Sequence, residues 1–70
     1  MAPDELAKRF THHPPKDDQP ERYVRIRGEA MALAITIAET TPESREQSLA
    51  ITALEEAVFW ANAAIARRES

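Results

Sequence analysis

No cysteine occurs in the chain, so neither disulfides nor thiolate metal sites can hold it together. β-like alternation of apolar and polar residues is missing throughout, which removes strands from consideration. Basic residues are not in excess: nine Lys and Arg stand against twelve Asp and Glu, for a net charge of −3. A domain that grips duplex nucleic acid spreads a basic field over one face, and no nucleic-acid polymer is expected as a partner here. No apolar run approaches the roughly 20 residues that span a membrane, and no secretory apolar region follows Met1. A soluble cytoplasmic protein is the expectation. Glycine occurs once, as Gly28.

Seventy residues make one domain at most. Ordering costs about 1.5 kcal/mol per residue, and a single small core rarely leaves more than about 3–5 kcal/mol beyond that cost. Small proteins supplement it with disulfides, a metal or oligomerisation. With cysteine absent, oligomerisation is the expected supplement.

What is present points the same way. Ile51, Leu54, Val58, Ala61 and Ile65 recur at alternating spacings of 3 and 4, as do Leu49, Ala53, Glu56, Trp60, Ala63 and Arg67. At about 100° per residue the two rows lie on different sides of one helix. A helix apolar on two sides requires two partners, and one copy of this chain offers too little to cover both.

The organisation follows from breakers and caps. Residues 4–10 form a short helix carrying Leu6 and Phe10. Residues 11–19 form a Pro-rich loop in which Pro14-Pro15 is extended and stiff. Residues 20–39 form the first long helix, with Tyr23, Ile26, Ala30, Leu33 and Ile37 as a seam against one partner helix. Gly28 inside it costs roughly 1 kcal/mol against alanine, as a surface position or as the point of a close approach. Thr41 as N-cap, Pro42 at the first helical position and Glu43 in the first turn start a second helix over residues 42–67. A link this short makes the two helices an antiparallel hairpin. The fold class is all-α.

Chemistry is sparse. His12 and His13 are adjacent, but zinc requires three or four ligands of defined geometry; a loop staple, or an imidazole stacked on a planar ligand, accounts for them better. No nucleophile has a base and an orienting group in view; Ser44, Ser48 and the threonines read as caps. No enzyme activity, metal or cofactor is expected. Arg27 flanks the seam whereas Arg25 points away, and a flanking guanidinium matches a phosphate. Arg67 ends the second stripe, with Arg68 after it, and Asn62 beside Val58 offers donors and an acceptor. Charge at a seam edge and Arg at a helix C-terminus are also ordinary structural features. Trp60 reads as a packing anchor.

The segment Arg9-Phe10-Thr11-His12-His13-Pro14-Pro15-Lys16, with Gln19-Pro20-Glu21-Arg22-Tyr23, resembles the opening of a phage protein family. So does Leu54-Glu55-Glu56-Ala57-Val58-Phe59-Trp60-Ala61-Asn62-Ala63-Ala64-Ile65-Ala66-Arg67. The likeness is to the hairpin domain shared by anti-CBASS protein two and Thoeris anti-defence protein one, over roughly Arg9 to Arg67. The resemblance implies a sponge. Family members hold cyclic oligonucleotide or cyclic ADP-ribose signals without cleavage and keep immune effectors off. It implies a homo-oligomer, a hexamer of hairpins, in the host bacterial cytoplasm. Cyclic dinucleotides lie between paired subunits and cyclic trinucleotides in separate pockets where three subunits meet. The chain stops just after the hairpin, which favours the anti-CBASS branch.

Carried over by position, His12 stands where the family has a base-stacking tyrosine, and an imidazole stacks with less area. The phosphate-pairing basic residue falls on Arg27, which the seam geometry had separately preferred. The arginine closing the second helix matches Arg67, with Arg68 one register on. His13 and Asn62 complete the expected ligand-binding set. A small helical adaptor docking through its stripes, and a sponge for cyclic ADP-ribose signals, are the alternatives.

Overall fold

The computed structural model describes residues 1–69 and contains three helices: α1 (Pro3–Phe10), α2 (Gln19–Thr40) and α3 (Arg45–Arg68). Among the described residues there is no strand, and the chain is all-α. The start of α2 meets the end of α3, where Gln19 Nε2 donates to the Ile65 carbonyl at 3.4 Å. The two long helices therefore run antiparallel as a hairpin, and α1 packs against α3.

Each boundary has a local cause. Pro3 stands in the first turn of α1, where a missing N–H costs nothing, with Asp4 and Glu5 beside it and Lys8 and Arg9 in the last turn. The backbone of Asp17 enters the left-handed region at φ 51°, a conformation Asp tolerates better than most residues. That bend lets Gln19 N–H close a turn on the Lys16 carbonyl at 2.9 Å and leads into α2.

The turn between α2 and α3 differs from the expectation. Thr41 closes α2 rather than opening α3. Pro42 forces the residue before it out of the helical region, and Thr41 sits extended at φ −122°, ψ 153°. Its N–H (3.1 Å) and Oγ1 (2.6 Å) both donate to the Ile37 carbonyl. The N-cap of α3 is Ser44, whose Oγ accepts from Gln47 N–H at 3.1 Å. Gln47 then turns its side chain back, Nε2 donating to the Thr41 carbonyl at 3.1 Å and the Ala38 carbonyl at 3.3 Å. The Ser-x-x-Gln spacing of residues 44–47 is the sequence signature of such a start.

The molecule measures 45 × 29 × 12 Å. Its thinnest dimension is about one helix diameter, so the hairpin is a single layer. Domains ordinarily enclose a core between two layers. Here, among the described residues, no apolar side chain is fully buried, and Gln19, at 3% exposure, is the one buried residue.

The first stripe, Ile51 to Ile65, is half-buried against Tyr23, Ile26, Ala30 and Ile37 of α2. Leu33, expected in that seam, is 49% exposed, and Ala34 is half-buried in its stead. Positions 33 and 34 straddle the seam because 3.6 residues per turn match neither 3 nor 4. The second stripe is open over most of its length: Leu49 and Trp60 are exposed, and Trp60 is no core residue within one copy. Trp60 meets its neighbour Phe59 edge to face, with centroids 5.0 Å apart.

As a continuous helix, α3 is long and apolar enough to cross a membrane by length and composition. This differs from the expectation, because the apolar residues of α3 are interspersed with polar ones rather than gathered in an unbroken run. Glu55 and Glu56 stand at its middle, where a charged side chain costs about 2.5–3.5 kcal/mol on insertion scales.

Candidate functional site

Four segments converge where α1, the Pro-rich loop, the start of α2 and the end of α3 come together. Two interactions fix this end of the hairpin. Gln19 accepts from Lys16 N–H at 3.1 Å and donates to Ile65 O and to Glu69 Oε1, tying the loop to α3. The imidazole of His13 donates from Nε2 to the Lys8 carbonyl at 2.8 Å, tying the loop to α1. A carbonyl can only accept, so the proton resides on Nε2.

Two ion pairs reinforce the same end. Arg22 donates through both amino groups to the two oxygens of Glu69, and Arg68 does the same to Glu5 at 2.8 and 2.6 Å. Bidentate pairs of this kind are the stronger charge-assisted bonds. The hydrogen bonds from Arg68 hold the Glu5 carboxyl down at about 2, with Arg9 and Lys8 adding positive charge. Those from Arg22, and then Gln19, hold Glu69 at about 2. The same bonds raise the Arg22 and Arg68 guanidinium groups.

The junction encloses a cleft of about 430 Å³. Arg9 comes from α1, Thr11, His12 and His13 from the loop, Tyr23 and Arg27 from α2, and Phe59, Asn62, Ala63, Ala66 and Arg67 from α3. No carboxylate of the described residues lines it. Five of the six residues singled out in the sequence, His12, His13, Arg27, Asn62 and Arg67, thus share one cleft. The sixth, Arg68, lines a neighbouring depression of about 320 Å³ with Arg9, Trp60, Ala63, Ala64 and Arg67, and both its amino groups are engaged by Glu5.

Arg27 and Arg25 divide as the seam geometry required. Arg25 is 78% exposed along its side chain and pairs with Glu29 at 3.1 Å. Arg27 faces the cleft and makes no ion pair with the described residues. Arg67 lies with Nη2 3.5 Å from the Arg9 carbonyl. The amide oxygen of Asn62 is enclosed with no hydrogen-bond partner among the described residues. An enclosed acceptor in that state gains from any donor brought to it.

A second, mostly apolar hollow of about 530 Å³ continues from the cleft along the hairpin, bounded by Ala30, Met31, Ala34, Ile51, Leu54 and Val58, with the Glu55 carboxylate at its edge. It shares Arg27, Phe59 and Asn62 with the cleft. The combined surface offers cations at one end and apolar area at the other, as recognition of a planar, anionic ligand demands. Among the described residues, no three His, Asp or Glu side chains are grouped to hold a metal ion.

Sequence reasoning passed over Arg9, Tyr23 and Phe59, which also line the cleft. Tyr23 was assigned to the seam and serves both. Arg9 is not indicated by the spacing, because nothing in it says how α1 folds back.

A small all-α hairpin with a cationic cleft at its open end, opposite the α2–α3 turn, is the class these observations define. A family model described as Acb2/Tad1, hairpin domain, matches residues 2–66. The chain belongs to that hairpin family, which is known from anti-defence proteins and is not a known enzyme family. No curated protein and no solved structure matches.

Proposed function

We propose that this chain is a phage anti-defence sponge. It binds cyclic oligonucleotide second messengers, such as cyclic GMP-AMP or a cyclic trinucleotide, and withholds them from CBASS effectors in the host bacterial cytoplasm. The observation that carries the reading is the 430 Å³ cleft, in which Arg27 and Arg67 face the same space as His12, Tyr23 and Asn62 with no carboxylate among them. Arginine forks match phosphate oxygens, the aromatic and imidazole rings offer faces to a base, and the Asn62 amide is an acceptor in want of a donor. The cleft falls within the roughly 300–1,000 Å³ of ordinary ligand sites.

Sequestration requires affinity and copy number rather than chemistry. The open second stripe and the single-layer hairpin support a homo-oligomer, with the hexamer as the family's form. A ligand with two or three phosphates would then meet arginines from symmetry-related copies.

Calorimetry against cyclic GMP-AMP and cyclic tri-adenylate, with mass measured by light scattering, tests the reading. Tight binding by an oligomer, with intact nucleotide recovered after the protein is digested, is the expected result. Recovery of a linear product would convert the sponge into an enzyme. The exposed Leu49 and Trp60 favour one second reading, an adaptor docking through that stripe. Failure of both ligands to bind a folded oligomer selects the adaptor, or a sponge for cyclic ADP-ribose signals if those bind instead.

A further inference from the structure

We propose that Arg9 is a further phosphate-binding side chain of the cleft, and that the N-terminal helix is part of the ligand site rather than a decoration on the hairpin. The inference rests on the sponge reading and deepens it. Arg9 borders both the 430 Å³ cleft and the 320 Å³ depression next to it, as Arg67 does.

Its backbone is fixed from several sides. The Thr11 N–H donates to the Ala7 carbonyl at 2.9 Å, the His13 imidazole to the Lys8 carbonyl at 2.8 Å, and Arg67 Nη2 lies 3.5 Å from the carbonyl of Arg9 itself. Three successive C-terminal carbonyls of α1 thereby face donors, all three supplied by residues that line the cleft. The side chain is held more lightly. Its Nε stands 3.7 Å from Glu5 Oε1, and the side chain is 44% exposed. Glu5 is itself tied to Arg68 by two short hydrogen bonds. The carboxylate thus lies beside the stem of Arg9, beyond hydrogen-bond distance.

An arginine in that condition is preorganised for a planar, bidentate anion. With Arg27 and Arg67 it brings three guanidinium groups to a cleft that no carboxylate of the described residues lines. Such a site favours ligands with two or more phosphates over mononucleotides.

Calorimetry of the full chain and its variants against cyclic GMP-AMP and cyclic tri-adenylate, with AMP as the single-phosphate control, tests the assignment. Arg9→Gln keeps length and helix propensity but removes the charge. A loss of about tenfold or more in affinity for the cyclic nucleotides is expected, with helix content and mass unchanged. Arg9→Lys restores charge without the fork and is expected to recover part of that loss. Wild-type binding left within twofold by Arg9→Gln overturns the role of Arg9 and leaves the sponge intact. Loss of helix content or mass in both variants assigns Arg9 a structural role instead, and also overturns it. Failure of the wild type to bind either cyclic nucleotide defeats the sponge reading and this inference with it.

Discussion

Arg22 and Glu69 join the first turns of α2 to the end of α3 through two parallel hydrogen bonds, from positions 47 residues apart in the chain. The Glu5–Arg68 pair ties α1 to the same helix end. Both carboxyls sit at about 2, below their ordinary 4.5. A depressed folded value means that the stabilisation is complete above about 4.5 and fades as pH falls towards 2. Acid titration followed by amide exchange is expected to release α1 and the last turn of α3 within that window. Retention of both down to pH 2 would remove the pairs as clasps of this end.

Arg25 and Arg27, two of the three arginines in the first half of α2, provide a matched comparison. Arg25 is paired with Glu29 on the solvent side, whereas Arg27 faces the cleft. Arg27→Ala is expected to weaken cyclic dinucleotide binding by about tenfold or more, the worth of a charge-assisted contact. Arg25→Ala should leave affinity within about twofold. Equal losses in calorimetry would show that overall charge, not placement, governs binding.

Gln19 is buried and serves the Lys16 amide, the Ile65 carbonyl and Glu69 at once. Gln19→Ala strands the Lys16 N–H, at a cost of about 1–3 kcal/mol where water cannot reach, while the Ile65 carbonyl keeps the Glu69 N–H at 3.4 Å. Thermal denaturation should show a loss in that range. A change below about 0.5 kcal/mol would mean that solvent replaces the side chain.

Ser44→Ala removes the N-cap of α3 and is expected to cost about 1 kcal/mol. Thr41→Ala removes different bonds, from Oγ1 to the Ile37 carbonyl and from Gln47 Nε2 to Oγ1, and leaves that cap in place. Chemical denaturation that ranked Thr41→Ala above Ser44→Ala would contradict the placement of the helix start at Arg45.

A Cβ built on Gly28 meets nothing within 4 Å in one copy. Gly28→Ala should therefore stabilise α2 by about 0.8–1 kcal/mol. The melting temperature and the mass of the particle decide it: a rise at constant mass fits open space, and a fall in mass marks a close approach between copies.

The sequence made helix type and pairing legible because the 3-and-4 spacings of Ile51 to Ile65 and of Tyr23 to Ile37 are long and regular. The turn was misread because two start signals overlap there. Thr-Pro-Glu at 41–43 competes with Ser-x-x-Gln at 44–47, and the steric demand of Pro42 on Thr41 decides between them. Leu33 was misplaced by a seam position that two neighbours share. In the site, Arg27 and Arg67 were accessible because helical phase places them relative to the seam. Arg9 was hidden, since its approach depends on a bend at Asp17 and a loop staple from His13 that no periodicity encodes.

The hairpin is one helix thick and keeps no apolar side chain fully from water. Leu49, Phe59 and Trp60 find no cover within one copy. In the homo-oligomer proposed above, other copies would cover them, and order would become a collective property governed by mass action. Such a chain would be most vulnerable to proteases early in synthesis, when copies are few.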